Sequence, residues 1–168
     1  MTIRTIVMIL IASVIIVGCG KSDEHQYNGV TVKVDPHAVS YDFPPAVPGY
    51  AHAGDIKIEM VRGGYEWEAN NQTIMSDAAS PNQIAEWFEA LELAPNSKVE
   101  IELEGQPSLE VFLWESDYRE VEVPVKESEI QLPDTKGRYI YEVVANWSSF
   151  GKEKAKGRVS YTFVVEIQ

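Results

Sequence analysis

The chain has 168 residues, one cysteine, and 14 basic against 26 acidic side chains, for a formal net charge of −12. That balance excludes nucleic acid as a partner, because phosphate binding needs a basic footprint, and it gives no attraction to anionic lipid headgroups. A single thiol also excludes an internal disulfide.

Residues 1–18 read as a lipoprotein signal peptide. Arg4 precedes the twelve-residue apolar run Ile6–Val17, broken only by Ser13, and that run is too short to cross ~30 Å of hydrocarbon as a permanent helix. Ile16-Val17-Gly18-Cys19 resembles the lipobox of bacterial lipoproteins. The resemblance implies acylation of the Cys19 thiol with palmitate-like chains and cleavage before it. It also implies a mature chain held at the extracytoplasmic face of the cell membrane. One acyl chain binds a bilayer only marginally, which fits the diacyl or triacyl cysteine of such proteins. Once acylated, Cys19 leaves no thiol for a metal or for nucleophilic catalysis.

Residues 19–28 are polar, with only Tyr27 large and apolar, and read as a lipidated flexible stalk. Over 29–168 the apolar spacing becomes two. Val30, Val32 and Val34 alternate with polar residues, as do Ile56, Ile58 and Met60, the pattern of strands with one buried face. Gly63-Gly64 reads as a hairpin turn. Ser80-Pro81-Asn82-Gln83 then carries an N-cap, a proline at the first helical position and a capping-box glutamine. Ile84, Trp87, Phe88 and Leu91 follow at helical spacing before Pro95. The pattern predicts a short inserted helix over 81–93 that plugs one end of the fold, with Trp87 or Phe88 lining a ligand groove as the sharper alternative.

Alternation resumes in Val99, Ile101 and Leu103 and in Val121, Val123 and Val125. It continues along Tyr139, Tyr141, Val143, Ala145 and Trp147, and along Val159, Tyr161, Phe163, Val165 and Ile167. Leu109–Trp114 is apolar on both faces and reads as a central or helix-covered strand. Pro44-Pro45, Pro48-Gly49, Pro95-Asn96 and Pro133-Asp134 punctuate the runs. Short strands at this spacing predict an all-β fold, an immunoglobulin-like antiparallel β-sandwich over 29–168.

Gly64-Tyr65-Glu66-Trp67, Ser76-Asp77, Ser80-Pro81, Trp114, Gly137-Arg138-Tyr139-Ile140-Tyr141, Ala145-Asn146-Trp147 and Tyr161-Thr162-Phe163 carry a family pattern in order. Across roughly residues 50–168 the chain resembles small lipoproteins and secreted proteins of Bacillus-type bacteria. The resemblance implies an exported β-sandwich and supplies no biochemical activity. It departs at Glu66, where family members often carry cysteine, so a disulfide that relatives use has no counterpart here.

Chemistry-bearing residues are scattered. His25, His37 and His52 lack the short fixed spacing of a zinc site, and His37 and His52 read as exposed loop histidines. Glu100, Glu102 and Glu104 read as the wet face of a strand that encloses no calcium. The serines form no nucleophile elbow. With 26 acids in the chain, any two carboxylates can be paired on paper as a glycosidase couple. Asn71-Gln72-Thr73 and Asn146-Trp147-Ser148 match a glycosylation acceptor pattern that a bacterial lipoprotein does not ordinarily meet.

Aromatic side chains remain. Tyr65 and Trp67 share one face of a strand, and Trp147 closes another. Core packing is their plain role; exposed at loops, Tyr65, Trp67 and Trp147 would instead make a ligand-binding patch. The sequence therefore points to a non-catalytic, lipid-anchored binding domain with no cofactor and no metal. Its partners are the membrane, through Cys19, and an envelope protein, peptide or glycan. A small cell-envelope hydrolase and a purely structural envelope lipoprotein are the alternatives.

Overall fold

The computed structural model describes residues 26–27, 30–31, 43–116 and 119–168. The chain divides into two units, Met1–Ser40 and Tyr41–Gln168. In the first, β1 (Gln26–Tyr27) pairs antiparallel with β2 (Val30–Thr31), so the two residues described from the 19–28 stalk lie in a strand. The signal segment, Cys19, Val32, Val34 and His37 fall outside the described residues.

The second unit contains β3 (Gly49–Ala53), β4 (Ile56–Glu59), β5 (Val61–Ala69), β6 (Gln72–Ser76), α1 (Pro81–Ala85) and β7 (Leu91–Leu93). There follow β8 (Lys98–Leu103), β9 (Ser108–Ser116), β10 (Arg119–Val123), β11 (Glu129–Gln131), β12 (Gly137–Phe150) and β13 (Ala155–Ile167). The strands form two sheets. The larger runs β10-β9-β12-β13-β5-β6, with β7 also on β13; the smaller runs β11-β8-β3-β4. Every pairing is antiparallel except β7 with β13.

The period-two runs supply the core. Ala51, Val99, Ile101 and Ile130 from the smaller sheet meet Val111, Tyr141, Val143, Tyr161, Phe163 and Val165 from the larger one in a single buried cluster. Burying each aliphatic side chain contributes about 1.5–3 kcal/mol, which is why the odd-numbered positions of β12 and β13 turn inward. An all-β, two-sheet unit with one shared core is consistent with a β-sandwich. β9 lies between β10 and β12, as its two apolar faces predict.

Three local expectations are corrected. Gly63-Gly64 is no turn but part of β5. Arg62 pairs with Tyr161 and Tyr65 with Val159, leaving both glycines opposite Ser160, the two-against-one count of a β-bulge. A Cβ on Gly63 would lie 2.4 Å from Ser160 Oγ, so a larger residue there would have to displace that hydroxyl. The second correction concerns Met60, which ends no simple hairpin strand: β4 belongs to the smaller sheet and β5 to the larger. Met60 sits buried at the crossing, its N–H donating to Gly49 O at 2.8 Å.

The third correction is the helix. Its start is as read: the Ser80 hydroxyl accepts from Gln83 N–H, and the Gln83 side chain accepts from Ser80 N–H. Its end is not, because α1 stops at Ala85. Arg138 Nη2 donates to Ala85 O at 3.0 Å and to Phe88 O at 3.5 Å, taking up carbonyls that a longer helix would have used. Leu91–Leu93 then becomes a strand parallel to Val165–Ile167. The helix packs against β9, β12 and β13, the middle strands of the larger sheet.

Candidate functional site

Trp67 and Trp147 are core residues. Trp67 is fully buried and Trp147 is 3 % exposed, with ring centroids 5.2 Å apart and Phe150 5.8 Å from Trp67. Trp147 Nε1 donates to Glu104 O at 2.8 Å, whereas buried Trp67 Nε1 has no hydrogen-bond partner. The two indoles thus take the core role that is plain for them, and the alternative of an exposed patch of Tyr65, Trp67 and Trp147 does not form. Tyr65 is half-buried against the core with the Arg62 guanidinium 4.6 Å above its ring. The inward parity of β5 and β12 that signals strands also carries these indoles inside.

His52 is on β3 and not in a loop. Register places His52 beside Lys57 of β4 and Glu100 of β8, and its imidazole is hydrogen-bonded to Glu102. Lys57 Nζ also donates to Glu102 at 2.9 Å. That bond, more than the His52 contact, holds the Glu102 carboxyl below its ordinary value against an opposing desolvation. The arrangement is an exposed strand-to-strand ion pair, worth little in stability. Among the described residues no group of three or more His, Cys, Asp or Glu is placed to hold a metal ion.

Of the surface depressions among the described residues, two regions gather candidate side chains. The first, about 290 Å³ on the outer face of the larger sheet, is lined by Tyr65, Glu66, Asp77, Glu142, Arg158 and Ser160 among others. Glu142 accepts from Trp114 Nε1 at 3.0 Å. Burial raises its carboxyl above the ordinary value; the Trp114 bond, Arg158 and Ser160 pull the other way, and Glu120 adds to the rise. A raised carboxyl favours the protonated folded state, so its destabilisation is absent below the ordinary carboxylate value and accrues as pH rises through the folded one. Glu142→Gln is accordingly expected to be more stable than wild type at neutral pH, with the gap closing in acid. Melting midpoints at pH 4 and pH 7 check this, and a pH-independent gap would overturn it.

The second depression flanks α1. One part, about 540 Å³, is lined by Val61, Ala79, Ile84, Trp87 and Phe88; the other, about 200 Å³, by Ile58, Val61, Ala85, Phe88 and Val164. Val61 and Phe88 belong to both, so the two parts adjoin. Because α1 ends early, Trp87 falls in the turn after it, 83 % exposed, and Phe88 is 46 % exposed. A packed tryptophan buries enough area to contribute roughly 4–6 kcal/mol, a gain the isolated domain forgoes at Trp87. Helical spacing signalled these two aromatics; what it missed is that they lie beyond the helix.

The class this geometry defines is an all-β two-sheet domain with one helical turn and an apolar groove beside that turn. Comparison with family models, curated proteins and solved structures returns no match. Among the described residues no helix is long and apolar enough to cross a membrane.

Proposed function

We propose that the chain is a lipid-anchored, non-catalytic interaction domain at the extracytoplasmic membrane face, with an immunoglobulin-like fold and the groove beside α1 as its contact surface. The observation that carries the anchor is the placement of the sole cysteine directly after Ile16-Val17-Gly18. Strand order supports the fold. β8 lies between β3 and β11 in one sheet, while β10-β9-β12-β13 run side by side in the other, as B lies between A and E and C′-C-F-G run opposite in immunoglobulin-like sandwiches. A tyrosine early in strand F that bonds back to the preceding backbone is a further hallmark. Here Tyr139 Oη donates to Thr135 O at 2.8 Å. The same reading places the chain with the small lipoproteins of Bacillus-type bacteria that its motifs resemble.

Cys19→Ser is expected to abolish incorporation of a fatty-acid analogue and to leave the precursor uncleaved. Equal labelling of mutant and wild type would dispose of the anchor.

A small cell-envelope hydrolase is favoured by one observation, the cleft that brings Glu66, Glu142, Arg158 and Ser160 together, since perturbed carboxylates concentrate in active sites. Turnover of envelope material that Glu142→Gln removes while the melting midpoint holds or rises would establish that reading.

A further inference from the structure

The groove beside α1 has a consistent charge. Glu59, Glu86 and Glu89 are among its lining residues, and no basic side chain is. All three carboxylates are exposed, and none has an ion-pair partner among the described residues. Of the neighbouring arginines, Arg62 lies over Tyr65, and Arg138 bonds the carbonyls of Ala85 and Phe88. Apolar and acidic side chains thus line the groove together. Along one side runs β4, an edge strand whose partner is β3 alone, leaving a row of backbone donors and acceptors of the kind that extended peptides use.

We propose that this groove binds an extended peptide segment in which apolar side chains alternate or cluster with lysine and arginine. The apolar side chains seat against Trp87, Phe88 and Val61, the cations meet Glu59, Glu86 and Glu89, and the backbone pairs with the free edge of β4. An exposed tryptophan lining an apolar groove is of the residue type that dominates binding energy at interfaces. Separated carboxylates around it select the sign of the partner and set the dependence on salt. A bare anionic membrane is disfavoured by the same rim. The inference rests on the interaction reading above and adds the partner's chemistry to it.

The test uses the full chain and a fluorescent decapeptide of alternating lysine with leucine and phenylalanine. Its two controls have every lysine replaced by glutamate or alternate backbone nitrogens methylated. Binding of the lysine peptide is expected to weaken roughly thirtyfold in Trp87→Ala, the loss of one hot-spot side chain, and about tenfold in Glu86→Lys/Glu89→Lys, with a flatter salt dependence. Both controls should fail to bind. Melting midpoints should stay at the wild-type value, since Trp87, Glu86 and Glu89 are exposed.

Equal binding of the lysine and glutamate peptides, or unchanged affinity in Trp87→Ala, would overturn the proposal, as would full binding of the methylated peptide. Self-association or adsorption to anionic vesicles lost in Trp87→Ala, with no peptide bound, would assign the groove to another occupant and equally overturn it. Acylation at Cys19 is read independently, so failure of the anchor and failure of this proposal are distinguishable.

Discussion

Trp67→Ala is expected to destabilise the domain by about 3–5 kcal/mol, the range for removing a large buried aromatic. The indole is fully buried and packed against Trp147 and Phe150, and the strands that hold it, β5, β12 and β13, cannot all close on the space it leaves. A loss of that size is a large fraction of a typical domain's stability and should lower the melting midpoint by roughly 10–20 °C. Thermal denaturation followed by circular dichroism measures it. A midpoint within a degree or two of wild type would mean the indole is not a core element. Trp67→Phe should cost less than its lost area suggests, because it also removes the buried Nε1–H, which has no hydrogen-bond partner and so carries a desolvation penalty.

Gly157→Ala should be nearly as damaging. Gly157 lies opposite Trp67 in the β5–β13 pairing, and a Cβ there would stand 2.1 Å from Cε3 and 2.3 Å from Cδ2 of the indole. These are atoms of a rigid fused ring held between Trp147 and Phe150, with little room to rotate away, so the strands must part. Overpacking of this kind typically costs 1–3 kcal/mol, about the upper end here. The cause is checked by a double-mutant cycle. With Trp67→Ala in place the clash has no second partner, and adding Gly157→Ala should then be close to neutral, giving a coupling of about 1–3 kcal/mol. Strict additivity would show that the glycine serves some purpose other than making room for the indole.

The elements legible in the sequence are those whose burial is dictated by one face over many residues. Tyr141 to Trp147 and Val159 to Ile167 alternate for long enough that no helix could bury the same set, and both are core strands. Where short-range and long-range demands differ, the pattern misled. Gly63-Gly64 has the composition of a turn, but the requirement it meets is close approach to Ser160, far along the chain. Ile84, Trp87, Phe88 and Leu91 have helical spacing; Arg138 and the open edge of β13 offered residues 86–93 better hydrogen-bond partners than another helical turn did. Neither partner is visible from the segment itself. The groove was therefore legible as two aromatics and not as a place. The indoles of Trp67 and Trp147 follow the same parity, since Glu66 and Glu68 take the outer face of β5 and leave Trp67 on the inner one.

The position of β13 bears on the order in which the protein can be made. It lies between β12 and β5 and also carries β7, and Val61 of β5 pairs with Thr162, roughly a hundred residues later in the chain. During synthesis β5–β6 stays a two-stranded ribbon, apart from β9–β10 and the β12 that joins it, until β13 links β12 to β5, and isolated two-stranded ribbons are at best marginally stable in water. Assembly of the larger sheet is thus postponed until nearly all of its residues are available. Contacts this distant make folding slow.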